Sequence, residues 1–203
     1  MTLDGQIIVP VIVIDDAAQA VDLVGALLGG GIACAEITFR TTAAVDAIRA
    51  TSSIAGFTVG AGTVLTTDDV DRAADAGARF VVSPGFAQDV VERSLERGLE
   101  VLPGVATATE VMRAARIGIS RVKFFPAAQL GGPAAIAALS GPFPDATFLP
   151  SGGVTAENAS DYLAVPAVFA VSGSWMATRA LIADGAFTEI ERRSRESVEK
   201  LSS

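Results

Sequence analysis

The chain has 203 residues, half of them hydrophobic and 19% charged, with a formal net charge of −8 and no histidine. This composition excludes a disordered chain and predicts a large buried core, and the acidic balance argues against nucleic-acid or anionic-membrane partners. With no histidine there can be no Ser-His-Asp or Cys-His catalysis and no histidine metal site, so any chemistry must use carboxylates, lysine, hydroxyls, backbone groups or a cofactor.

Residues 1–6 lack the basic start of a signal peptide. The apolar run from Ile7 to Ile14 is too short to cross a bilayer and is interrupted by Pro10, so a cytoplasmic protein is expected. That run opens a series of short β-branched segments, predicted as strands at residues 6–14, 32–39, 57–63, 79–83, 100–105, 121–126, 147–151 and 167–172. Alanine-rich amphipathic stretches alternate with them. They predict helices at residues 15–29, 42–52, 67–77, 87–97, 108–118, 132–140, 155–164 and 176–186, with one more at 188–200. Glycines such as Gly77, Gly98 and Gly118 fall where a helix must stop, and Thr107 with Glu110 has the spacing of a capping box. Cys34, the single cysteine, lies in the apolar run Ile32-Ala33-Cys34-Ala35 and is expected to pack as a small core residue. Continuous apolar strands joined by helices imply a parallel α/β sheet, either open and doubly wound or closed. Eight units of about 25 residues favour a (β/α)8 TIM barrel in a single domain over residues 1–203.

Such a barrel carries its chemistry at the carboxyl ends of its strands. Small and polar residues stand at these exits: Gly62-Thr63, Ser83-Pro84-Gly85, Ser151-Gly152-Gly153 and Ser172-Gly173-Ser174. Tight turns and helix caps account for most of them. They do not account for Lys123, in Arg121-Val122-Lys123-Phe124-Phe125-Pro126. The chain has only one other lysine, Lys200, and thirteen arginines, so a lysine inside a strand is not generic surface charge. Apolar neighbours desolvate an amine so placed and favour its nucleophilic, neutral form. The competing reading pairs Lys123 with Glu36 as a buried ion pair. In Ala35-Glu36-Ile37-Thr38-Phe39-Arg40 the period of two puts Glu36, Thr38 and Arg40 on one face. Glu36 is suited to moving protons, and the Arg40 fork to holding a carboxylate. The glycine loops after the seventh and eighth strands, with a helix N-terminus, are placed as a phosphate site, which backbone N–H groups can form in an acidic protein.

The runs Glu36-Ile37-Thr38-Phe39-Arg40-Thr41, Gly60-Ala61-Gly62-Thr63-Val64-Leu65, Ser83-Pro84-Gly85, Lys123-Phe124-Phe125-Pro126-Ala127, Ser151-Gly152-Gly153-Val154 and Gly173-Ser174-Trp175 resemble, in the same order, the 2-keto-3-deoxy-6-phosphogluconate (KDPG) aldolase family. The resemblance implies a trimeric class I aldolase, often also active on 4-hydroxy-2-oxoglutarate, that needs no metal or other cofactor. It implies a Schiff base on Lys123, with Glu36 as general acid and base helped by a bound water. Arg40 and Thr63 would hold the keto-acid carboxylate, Pro84 and Phe125 shape the pocket, and Gly152, Gly153 and Ser174 bind the substrate phosphate, with Ser151 beside them. The chain departs from the family pattern at Ala128, where glutamate is common, at Ser151, where threonine is common, and at Ser172, where glycine is common. Ser172 is expected to narrow or re-aim the phosphate loop. An aldolase for the galactonate-derived C4 epimer stays open, as does a phosphate-binding barrel, isomerase or binding protein, in which Lys123 and Glu36 form only an ion pair. A decarboxylase barrel is disfavoured, because it would want an acid–lysine cluster.

Overall fold

The structure, a computed structural model, describes residues 2–202. The apolar segments form nine short strands: β1 Ile8–Ile12, β2 Cys34–Thr38, β3 Thr58–Gly62, β4 Phe80–Val82, β5 Glu100–Leu102, β6 Gly104–Val105, β7 Arg121–Phe124, β8 Thr147–Pro150 and β9 Val171–Gly173. Every pairing is parallel, in a six-stranded sheet of order β5-β4-β3-β2-β1-β9 and a three-stranded sheet of order β6-β7-β8. Residues 100–105, expected as one strand, are divided at Pro103, which has no N–H to give to a ladder. Residues 167–170, expected to begin the last strand, contribute one isolated bridge, Phe148 to Val168.

The helices cover the outer face of the curled sheets: α1 Ala20–Gly29, α2 Ala44–Thr51, α3 Thr67–Asp75, α4 Gln88–Glu96, α5 Ala108–Arg116, α6 Gly132–Ser140, α7 Ala159–Leu163, α8 Arg179–Ala183 and α9 Phe187–Leu201. α5 shows why they form. Val111 and Ala114 are buried at an i, i+3 spacing, while Arg113 and Arg116 fall in the last turn, where cations suit the helix dipole. At its start Thr107 and Glu110 complete the expected capping box. α7 begins four residues later than expected, because the Asn158 side chain accepts from Thr155 N–H at 2.8 Å and makes a turn of residues 155–158. Among the described residues no helix is long and apolar enough to cross a membrane.

The alternation of the strands separates two apolar layers. On β2, Ala35 and Ile37 pack outward under the helices, while Cys34 joins Val9, Phe80, Val82, Leu102, Leu149 and Ala170 inside the curl. Leu3, ahead of β1 and 1% exposed, belongs to the same inner cluster and closes it at the strands' amino end. Burial, reinforced by the nearby Glu36 charge, pushes the Cys34 thiol up to about 12. It is therefore an unreactive core group, as expected from its neighbours. In the outer layer the Phe124 and Phe148 rings meet edge to face at 6.5 Å, an arrangement worth about 1 kcal/mol beyond the area it buries.

Candidate active site

The alternation that sends Cys34 into the inner core sends Glu36 and then Thr38 to the same side, successively nearer the strands' carboxyl ends. Three strands contribute to the polar layer formed there. Glu36 of β2 has no exposed surface, and Lys123 of β7 has 9% of its side chain exposed, its Nζ 3.3 Å from Glu36 Oε1. Ser172 of β9 donates its hydroxyl to the same Oε1, also at 3.3 Å. Both contacts exceed the 2.7–2.9 Å typical of tight charge-assisted bonds, so the ammonium is held without being locked. Glu36 Oε2 has no hydrogen-bond partner among the described residues. It lies against Gly62, and a Cβ there would overlap it, so this position must stay glycine for the carboxylate to keep its place.

A cavity of about 430 Å³ opens above this layer. Lys123 and Thr38 contribute to its lining, as do Arg40, Thr63, Pro84 and Phe125; residues 151–154 and 173–174 complete much of the remainder. Every residue expected to touch substrate thus lines one space, and Glu36 lies beneath it. Lys123 Nζ sits 5.5 Å from the Phe125 ring centroid, so the aromatic face supports the cation while shaping the wall. Arg40 is exposed and makes no side-chain hydrogen bond or ion pair among the described residues, leaving its planar fork available to a carboxylate. Thr63 adopts a left-handed φ of 56°, uncommon for any residue with a Cβ and especially for a β-branched one.

The glycine loop after β8 is held from both sides. Ser151 N–H donates to Phe124 O at 3.0 Å, and Asn158 Nδ2 donates to Gly153 O at 3.0 Å. Gly152 has φ 89°, and a Cβ there would come within 3.1 Å of the Phe125 ring and Pro126 Cα. The loop is therefore packed directly on the lysine strand. The Gly152 and Gly153 N–H groups donate to no described group, which leaves them for an anion. The helices that follow, α7 and α8, have five residues each and start at Ala159 and Arg179, so neither begins directly at its glycine loop, where a helix N-terminus was expected.

Ser172 departs from its expected role. Its side chain has no exposed surface and points inward to Glu36, while Gly173 and Ser174 make the loop. Sequence reasoning also gave no role to Thr38 or Asn158. Thr38 lines the cavity with its hydroxyl donated to Ile12 O at 2.8 Å, and its signal was the shared face with Glu36 and Arg40. Asn158 carried no signal, since its importance rests on a loop contact five residues away. Among the described residues no group of three or more Cys, Asp or Glu side chains is arranged to hold a metal ion.

The KDPG and KHG aldolase family model matches residues 2–193. The chain is 45% identical over 193 residues to the 2-dehydro-3-deoxy-phosphogluconate aldolase of Treponema pallidum, covering 95% of this chain and 92% of that relative. It is 46% identical over 194 residues to the protein of the same name from Pseudomonas aeruginosa, covering 95% and 88%. Among solved structures it is similar to KDPG aldolase from Legionella pneumophila with pyruvate captured at low pH as a covalent carbinolamine intermediate. The TM-score is 0.93 at 34% identity, covering 97% of this chain and 96% of that one.

Proposed function

This chain belongs to the KDPG and KHG aldolase family, and from that premise we infer that it is a class I aldolase. It cleaves 2-keto-3-deoxy-6-phosphogluconate reversibly to pyruvate and glyceraldehyde 3-phosphate, and 4-hydroxy-2-oxoglutarate to pyruvate and glyoxylate. The observation that carries this reading is the buried Lys123–Glu36 pair at 3.3 Å, placed under a cavity whose wall holds an arginine unpaired among the described residues. The covalent pyruvate adduct of the Legionella relative supports the same chemistry.

Lys123 Nζ, once deprotonated, attacks the C2 carbonyl carbon, and the resulting carbinolamine loses water to give a protonated imine. Glu36 then takes the proton of the C4 hydroxyl. The C3–C4 electron pair moves into the imine as that bond breaks, the aldehyde forms at C4, and an enamine of pyruvate remains. Glyceraldehyde 3-phosphate leaves, Glu36 returns a proton to C3, and hydrolysis releases pyruvate and the free amine. The imine serves as the electron sink, so the reaction needs no metal or other cofactor. Arg40 and Thr63 hold the keto-acid carboxylate, with Pro84 and Phe125 as walls. Gly152, Gly153 and Ser174, beside Ser151, receive the phosphate at the far end.

The two sheets act as arcs of one eight-stranded barrel in a single domain over residues 1–203. In support, Lys123 N–H donates to Pro103 O at 3.0 Å, carrying the ladder past the break between β5 and β6, and Phe148 N–H donates to Ala167 O at 2.7 Å. The enzyme works in the cytoplasm as a homotrimer. Exposed Leu65, Leu95 and Met112 are available to a subunit interface, and sedimentation equilibrium gives the stoichiometry. The chemical proposal is tested by borohydride reduction in the presence of pyruvate. A stable adduct that maps to Lys123 is expected, and its absence from folded protein would move the phosphate-binding barrel into first place.

A further inference from the structure

We propose that Ser172 is a positioning residue for proton transfer: its hydroxyl holds Glu36 Oε1 throughout the reaction and leaves Oε2 as the oxygen that gives and takes protons. The inference rests on the aldolase reading and concerns the same site.

β2 and β9 both flank β1, so their inward residues are next-nearest neighbours in one layer. Ser172 is paired in register with Val9 and Glu36 with Val11, and neither Ser172 nor Glu36 has exposed surface. A hydroxyl has one hydrogen to donate, and the acceptor found for it here is Glu36 Oε1. That oxygen has two donors, Ser172 and Lys123, while Oε2 has none. The asymmetry changes meaning once the lysine reacts. As an ammonium, Nζ carries three hydrogens and can spare one for the carboxylate; as a protonated imine it carries one and is bonded to the substrate carbon. Through the carbon–carbon and proton-transfer steps, Ser172 is therefore the donor to Oε1 whose own bonding does not change. Without it the carboxylate group turns more freely about its last torsion, which is broad and weakly restrained. Gly62 makes room for Oε2, since a Cβ there would overlap it.

Buried serines often serve as small, neutral filler, so the test must separate positioning from packing. The variants are Ser172→Ala and Ser172→Gly in the full chain. Each is read by borohydride trapping with pyruvate, by deuterium exchange into the pyruvate methyl group, and by melting temperature. Alanine removes the donor and fills the space, whereas glycine removes the donor and makes room for a water that can replace it. Glycine inside a strand costs more stability than alanine. A packing role thus puts glycine below alanine in both stability and exchange, while a positioning role inverts the order for exchange alone.

Both variants should form the Lys123 adduct. Exchange should fall about tenfold in Ser172→Ala, the scale of one hydrogen bond to a charged group, and by less in Ser172→Gly. Exchange at the wild-type rate in Ser172→Ala, or rates that follow the melting order, would overturn the proposal while leaving the aldolase reading intact. Failure of the wild-type protein to form any pyruvate adduct would instead remove that reading, and this inference with it.

Discussion

Arg121 opens β7 and Lys123 stands two residues further along the same short strand. At the amino end Arg121 is paired with Asp4 at 2.6 Å and Glu100 at 3.3 Å, and its guanidinium lies 4.8 Å from the Phe169 ring centroid. Nearer the carboxyl end, Lys123 has one carboxylate within reach and a cavity on its open side. The first cation is held between two carboxylates and an aromatic face, and it ties the N-terminal segment to the sheet. The second is buried with donors to spare. The contrast shows that charge within a strand says little about role; what decides it is how completely the surroundings satisfy the group.

The sharpest way to break this comparison is to remove each cation in turn. Lys123→Ala should lower turnover by about 10⁴-fold or more and abolish the borohydride adduct. It also strands the Glu36 carboxylate in the interior, so the melting temperature should drop by the equivalent of about 3 kcal/mol. Lys123→Arg keeps a cation beside Glu36 but offers no amine that can form an imine, and should be equally inactive with a smaller stability loss. Arg121→Ala should do the reverse, leaving kcat within about twofold of wild type and costing about 1–2 kcal/mol of stability. Substantial activity in either Lys123 variant would take the lysine out of the mechanism.

Next in size is the carboxylate. Glu36→Gln removes the group proposed to carry protons and leaves the amine in place. Adduct formation should persist while methyl-proton exchange on pyruvate slows about 10²- to 10³-fold. An unchanged exchange rate would assign the proton transfers to another group. Ser174→Ala addresses the far end of the cavity. KM for the phosphorylated substrate should rise about tenfold, with little change for 4-hydroxy-2-oxoglutarate, which has no phosphate. Equal losses on both would show that Ser174 does not distinguish them.

Much of the candidate site's grouping could be read from the chain alone, for identifiable reasons. Lys123 stood out by scarcity, Glu36 as an acid in an apolar strand, and the glycine loops by their place after the seventh and eighth strands. Local periodicity also placed helices such as α1, α2 and α5, which bury stripes their own residues define, whereas the helix expected at 176–186 is only Arg179–Ala183 with Ile182 buried. What escaped was set by contacts distant in sequence or by loop geometry. Ser172 was assigned to the phosphate loop because Gly173 and Ser174 are there, yet its neighbour in space is Glu36, 136 residues earlier. The single strand expected at 100–105 ignored the missing N–H of Pro103. The late start of α7 came from the Asn158 side chain taking a backbone N–H that a helical reading leaves unassigned.

The smallest expected effect concerns Thr63, where the cavity wall carries backbone strain. Its φ of 56° costs a residue with a Cβ about 1–2 kcal/mol. The turn persists because the residues on either side are fixed: Gly62 lies in register with Val82 against the Glu36 carboxylate, and Val64 N–H donates to Val82 O at 3.2 Å. Thr63→Gly releases the strain and adds about 0.5–1 kcal/mol of unfolded-state entropy, so a net stabilisation of about 0.5 kcal/mol is expected. The same change deletes a hydroxyl from the cavity, and KM for pyruvate in the exchange assay should rise a few-fold. A variant more stable but weaker in pyruvate binding would show that the strain positions a binding group. One that is less stable would mean the turn favours threonine, and an unchanged KM would remove Thr63 from carboxylate recognition and leave that task to Arg40.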